Sequence, residues 1–229
     1  MSESLTIDFR QPVPLFPLPS CLLLPWATVP LHIFEPRYRK MTNDALDRRG
    51  LIAMAMFEGS DWRKDYEGNP EIRPVVCVGY IVRHERLPDG RFNILLQGAC
   101  RARIVRELPV KLYRQAVLEP LERTPTMEID LADERLRLDA LLNDPLLKEL
   151  SSVAAVRNWV SREIPTAALI DLATMAVCER SEERYDMLSE PQTLVRAHWL
   201  ERWLRSTRRT LSLAGKFEPP KPSDQVNVN

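Results

Sequence analysis

The chain has 229 residues, 45% hydrophobic and 28% charged, enough to bury a core without disulfide or metal staples. Lysine plus arginine and aspartate plus glutamate each number 32, with 18 basic and 15 acidic residues through position 125 and 14 and 17 after it. Neither part therefore steers itself toward nucleic acid or an anionic membrane, and no apolar run approaches the roughly 18–20 residues of a membrane span.

The first 125 residues are rich in proline and short apolar runs. Residues 13–18 (VPLFPL) and 29–34 (VPLHIF) carry prolines at a density that excludes helix and suits edge strands. Residues 37–48 read as a helix: Pro36 stands at its start, Tyr38, Met41 and Ala45 fall near helical spacing, and Gly50 follows its end. The apolar run 51–57 is short enough for a buried strand, and the polar segment 58–70 reads as an exposed loop. Strands are predicted at 75–83, 92–97, 101–107 and 112–118, with a hairpin turn at 87–91 and a break at Gly98. Six or seven short strands with one inserted helix make a mostly antiparallel barrel or sandwich.

From residue 126 the periodicity becomes helical. Asp130 is placed to cap a helix carrying Leu131, Leu138, Leu141 and Leu142, and Asp144-Pro145 restarts the chain. Leu169, Leu172, Ala173 and Ala176 share one helical face. Ser189 to Gln192 has the S-x-x-Q form of a capping box, before a helix with Trp199, Leu200, Trp203, Leu204 and Leu211 on one stripe. The expected organisation is a β domain over 10–125, a bundle of about five helices over 126–213, and a disordered tail over 214–229.

Motifs for chemistry are missing. The chain has no Gly-Lys-Ser/Thr for a phosphate loop and no closely spaced glycines for a dinucleotide fold. The Gly59-Ser60 pair lacks the second glycine of a nucleophile elbow, and His32, His84 and His198 are scattered. Cys21, Cys77, Cys100 and Cys178 lack metal-ligand spacing and read as reduced thiols, so no metal or cofactor is expected. Glu182-Glu183 and Asp133-Glu134 fall in first turns of helices, where they complement the macrodipole. Arg202, Arg205, Arg208 and Arg209 beside two tryptophans suggest either phosphate contact or a cation-rich helix end, and zero net charge favours the second. The acidic residues and prolines near the N-terminus do not make a secretory signal, and a cytoplasmic location is expected.

One ordered series of segments resembles a known family. Residues 14–18 (PLFPL), 22–25 (LLLP) and 30–41 (PLHIFEPRYRKM) resemble the opening signature of the Lon protease N-terminal, substrate-binding domain. Residues 78–81, 89–98 and 101–104 resemble its next strands, and the likeness covers about 12–122, with 185–188 matching more loosely. Two departures stand out: Trp26 where the family usually has glycine, and Ala102 where it usually has phenylalanine.

The resemblance implies an α+β fold, a PUA-like mostly antiparallel β barrel with an inserted helix followed by a C-terminal helical bundle. It implies a free-standing, non-catalytic module that binds unfolded or tagged polypeptide, lacks the ATPase and Ser-Lys peptidase, and serves a separate ATPase or protease as an adaptor. RNA binding and small-molecule sensing are the alternatives, because related barrels do both. The candidate binding residues are Trp26, His32, Phe34, Glu35, Arg37 and Tyr38, with Phe34 alternatively in the core and Glu35–Arg37 a local ion pair.

Overall fold

The computed structural model describes residues 7–214 except 65, 67, 110–111, 123–125 and 161–163, and only the backbone of 158–160. The expected tail therefore lies, from residue 215 on, outside the described residues. In chain order the elements are β1 (Val13–Leu18), β2 (Thr28–Ile33), α1 (Pro36–Leu46), β3 (Leu51–Met56), β4 (Val75–Arg86), β5 (Phe92–Glu107) and β6 (Gln115–Pro120). Five helices follow: α2 (Ala132–Leu142), α3 (Ser151–Val160), α4 (Thr166–Val177), α5 (Ser181–Ser189) and α6 (Thr193–Ala214).

Strands β4, β3, β1, β6 and β5 close into a ring, since β6 pairs with both β1 and β5. Every pairing is antiparallel except β1 with β3. Val13, Leu15, Ala53, Ala55, Val76, Val78, Ala102, Ala116 and Leu118 fill the interior in one strand alternation. The opposite alternation (Phe16, Ile52, Met54, Cys77, Ile94 and Leu96) packs outward against α1, the 22–24 segment and α5. Both faces of β3 are thus covered, which is why 51–57 reads as an unbroken apolar run.

Two strands are longer than expected, 12 residues for β4 and 16 for β5, because β5 runs straight through Gly98. Gly98 pairs with Gly79 across the ladder, and the 22–27 segment crosses over both. A Cβ at Gly98 would collide with the carbonyl oxygen of Leu24, and one at Gly79 would lie 2.7 Å from the carbonyl oxygen of Gln97. Here glycine permits a close backbone crossing instead of ending the strand. The last strand is displaced as well: β6 starts at Gln115, and Leu112, expected within it, is exposed.

Three helix-end expectations are corrected. Asp130 sits in a 3₁₀ turn (Glu128–Leu131) ahead of α2, whose first turn has no side-chain cap. Asp144 accepts the Leu146 N–H (2.9 Å) in a turn, and α3 starts only at Ser151. Ser189 ends α5, its hydroxyl donating to the Asp186 carbonyl (3.1 Å), because Pro191 forces Glu190 into extended backbone. Glu190 then accepts the Gln192 N–H (2.7 Å) at the entry to α6.

The bundle has its own core of Leu138, Leu142, Val153, Val156, Leu169, Ile170, Ala173, Leu200 and Leu204. Ionic and polar contacts join it to the barrel. Arg101 of β5 donates twice to Asp171 of α4 (2.9 and 2.5 Å), with their side chains 2% and 1% exposed. Arg196 of α6 lies 3.9 Å from Asp171, and Glu122 takes Arg196 at 2.8 Å and Arg101 at 3.2 Å. Burial and the neighbouring Arg101 pull the Arg196 guanidinium below its ordinary range, while Asp171 and Glu122 oppose them. The Tyr185 hydroxyl accepts the Val75 N–H (3.1 Å), and Arg73 spans from the Tyr185 ring face to Glu182 (2.6 Å).

Two substitutions test these supports. Asp171→Ala leaves two buried arginines with one partly exposed carboxylate and is expected to cost about 3–5 kcal/mol in chemical denaturation. A loss below about 1 kcal/mol would mean that the cluster is solvated. Gly98→Ala is expected to lower the denaturation midpoint by more than Gly59→Ala, which carries the strain of a φ of +60° but whose added Cβ meets nothing within 4 Å. Equal effects at the two glycines would contradict the crossing.

Candidate functional site

The six sequence-predicted residues fall in two neighbouring places. Glu35, Arg37 and Tyr38 open α1, where Pro36 supplies the preset φ of a first helical turn. Arg37 Nε donates to Glu35 Oε2 (2.9 Å), so the expected local ion pair is present. The hydroxyl of Tyr66 donates to Glu35 Oε1 (2.7 Å), and the Arg37 guanidinium lies over the rings of Tyr38 (4.7 Å) and Tyr66 (4.9 Å).

Arg37, Tyr38 and Tyr66 border a cleft of about 240 Å³ with Pro17, Phe57, Leu112, Tyr113 and Arg114. Burial pushes the Tyr38 phenol far above its usual range, against the pull of Arg37. Burial and the bond to Asp44 (2.9 Å) push Tyr113 up to about 12. Burial and the contact with Glu35 raise Tyr66 also, so these phenols stay neutral hydrogen-bond donors. The cleft is polar and aromatic, with no unpaired nucleophile beside a base among the described residues.

Sequence reasoning did not name Tyr66, Phe57 or Tyr113 as site residues. The segment 58–70 is largely exposed as expected, but Phe57 stacks on Trp62 (5.4 Å) and meets Tyr66 edge-on (6.1 Å). Two aromatics within five residues of a polar segment, Trp62 and Tyr66, were the available signal.

His32 lies in β2, and Trp26 and Phe34 flank that strand at its two ends. Phe34 is 60% exposed and is no core residue, because it follows buried Ile33 on the opposite face of the chain. His32 stacks on Phe34 (6.2 Å) and is held by Asn93 Oδ1 at Nδ1 (2.8 Å). Trp26, 51% exposed, stands beyond the other end of β2, whose six residues span roughly 20 Å at the strand rise of about 3.3 Å per residue. It occupies the third position of the turn 24–27, behind Pro25, with φ +69° and the Ala27 N–H donating to the Leu24 carbonyl (3.3 Å). This is the geometry of a type II turn, which favours glycine at that position. The Trp26 N–H then donates to Gly98 (2.8 Å), and Gly98 donates to Ala27 (2.9 Å).

Among the described residues β2 pairs on one side only, with β5. The Ala27 carbonyl faces β5, so alternation turns Val29, Leu31 and Ile33 toward β5 and Thr28, Pro30 and His32 outward. Pro30, which has no N–H to donate, falls where the ladder needs none. The outer edge offers the N–H groups of Thr28 and His32 and the carbonyls of all three, flanked by two exposed aromatic side chains.

Elsewhere, no helix is long and apolar enough to cross a membrane, and no group of three or more His, Cys, Asp or Glu forms a metal cluster among the described residues. All four cysteines are free. Arg205 pairs with Glu201 (2.8 Å) and Arg208 with Asp144 (2.6 Å), so half of the basic cluster on α6 is neutralised locally.

A family model described as the ATP-dependent protease La (LON) substrate-binding domain matches residues 12–205. Lon protease 2 of Bdellovibrio bacteriovorus is 25% identical over 57% of this chain and 16% of its own length, and Lon protease of Dictyoglomus thermophilum is 29% identical over 55% and 16%. Lon protease of Desulfosudis oleivorans is 19% identical over 93% of this chain and 26% of its own length. The chain thus spans about a sixth to a quarter of these curated relatives. Among solved structures, the N-terminal domain of Mycobacterium avium complex Lon protease superposes with a TM-score of 0.62 (15% identity, 85% of this chain and 98% of that one). A Lon N-terminal domain protein from Xanthomonas campestris gives 0.57 (20% identity, 84% and 98%). A closed mixed sheet with a helical bundle, and a family match over most of its length, place this α+β chain in the Lon substrate-binding domain family.

Proposed function

We propose that this chain binds extended, unfolded polypeptide by adding it as a strand to the open edge of β2, and that it performs no chemistry of its own. The observation that carries the proposal is the one-sided pairing of β2 between exposed Trp26 and Phe34. Strand addition takes affinity from main-chain hydrogen bonds, which every sequence offers, and selectivity from side-chain contacts at alternate positions. The two aromatics supply such contacts at a spacing that suits about six residues of extended chain.

The Glu35–Arg37–Tyr66 network acts beside this edge as a rigid base, fixing the turn from β2 into α1. On this reading the barrel over 10–125 recognises the client, and the bundle over 126–213 buttresses it. An adaptor of this kind would hold a client for a separate ATPase or protease in the cytoplasm, where its four thiols remain reduced. The cleft beside Arg37 and Tyr38, about 240 Å³, is below the roughly 300–1,000 Å³ of most ligand pockets, so a small molecule would have to bind elsewhere on the chain. RNA binding is weakened by the neutral charge and the ion-paired arginines of α6.

The test is fluorescence anisotropy of a labelled, permanently unfolded polypeptide, with single-stranded RNA as comparison, at two salt concentrations. Saturable polypeptide binding with little salt dependence is expected, and Phe34→Ala weakens it about fivefold to thirtyfold. Trp26→Gly weakens binding similarly while leaving stability unchanged or raising it by up to about 1 kcal/mol, because glycine relieves the positive φ. Full affinity in both variants, or salt-sensitive binding of RNA alone, would overturn the proposal.

A further inference from the structure

Natural edge strands are kept from pairing with one another by charge, proline or a bulge. Between Thr28 and Ile33, β2 carries no Lys, Arg, Asp or Glu, and its register on β5 runs without a shift. Pro30 is therefore the one such device within the strand. Its side chain is exposed, and its nitrogen faces away from β5 at the middle of the three outward positions.

Without that proline the edge would suit a second copy of the chain. Thr28 and His32 lie two residues to either side of Pro30, and Trp26 and Phe34 lie four. A two-fold axis through Pro30 sets Thr28 opposite His32 and Trp26 opposite Phe34 at both ends of an antiparallel pair. Thr28 and His32 can then exchange two main-chain bonds with their opposites at each end. At the axis the two pyrrolidine rings meet, neither residue has an N–H, and two carbonyls lack a donor. A client residue opposite Pro30 keeps its own N–H, which donates to the Pro30 carbonyl, and only one client carbonyl goes without. Any register that pairs both prolines of two copies loses two donors, whereas a client strand loses one. We infer that Pro30 is the specificity-determining residue of the β2 edge, disfavouring a second copy of this chain more strongly than a client strand. The inference rests on the reading of β2 as the client-binding edge.

The experiment compares the wild-type chain with Pro30→Val and Pro30→Thr, by sedimentation velocity and by anisotropy of the labelled unfolded polypeptide. Both substitutions return the N–H in residues that favour strands, one apolar and one polar, at an exposed position. The wild-type chain is expected to sediment as a monomer, while in both variants two restored bonds strengthen dimerisation about fivefold to a hundredfold. Client affinity rises only about twofold to tenfold, from one restored bond. Saturating client dissolves the dimers, because both compete for one edge. Variants that stay monomeric, a wild-type dimer as stable as theirs, or dimers that persist under saturating client would overturn the inference. The β2 reading survives each of these results if Phe34→Ala still weakens client binding. Client binding left at full strength by Phe34→Ala and Trp26→Gly would overturn that reading, and the inference with it.

Discussion

The candidate binding edge depends on the absence of side chains at Gly79 and Gly98. Because nothing projects from this pair, the segment carrying Leu22, Leu23 and Leu24 crosses β4 and β5 in van der Waals contact and buries three leucines in the outer core. That crossing ends in a turn whose backbone locks onto Gly98 from both sides, through the Trp26 and Ala27 hydrogen bonds. The lock sets the register of β2 on β5, turns Pro30 outward and leaves the far edge open. It also forces Trp26 into a left-handed backbone conformation, at a cost of order 1–3 kcal/mol for a residue other than glycine. A strained, half-exposed tryptophan beside a strand paired on one side only is better explained by contact with a partner than by packing.

A second constraint holds the bundle against the barrel. Two guanidiniums and two carboxylates meet at the junction of β5, α4 and α6, three of the four nearly sealed from water. Such clusters add little net stability compared with apolar packing, but they penalise any arrangement that separates the partners. The junction therefore favours one orientation of α4 and α6 on the barrel. Tyr185 and Arg73 reinforce that orientation on the side of β4.

Much of this was legible in the sequence, for physical reasons that differ by element. The α1 helix was readable because Pro36, the Tyr38–Met41–Ala45 spacing and Gly50 agree on its bounds. The hairpin at 87–91 was readable because Gly90 takes a φ of +81° that few residues other than glycine tolerate. The continuity of β5 was not, since a glycine that admits a crossing chain looks locally like one that ends a strand. Nor was the aromatic lining of the cleft, because Tyr66 reaches Glu35 across 31 residues and only the fold brings them together. Trp26 was visible as a departure from the family, but its strain appears only with the backbone angle. Phe34 shows the limit of reading polarity alone: an apolar residue among strand residues is taken for core, whereas alternation from Ile33 turns it outward.

The central claim is that a client chain pairs with the outer edge of β2. Residue-resolved amide hydrogen exchange, with and without a saturating unfolded polypeptide, tests it most directly. The account predicts added protection at the outward amides of Thr28 and His32, with little change at Val29, Leu31 and Ile33, which are already bonded to β5. Tight binding that leaves Thr28 and His32 exchanging as in the free protein would contradict it.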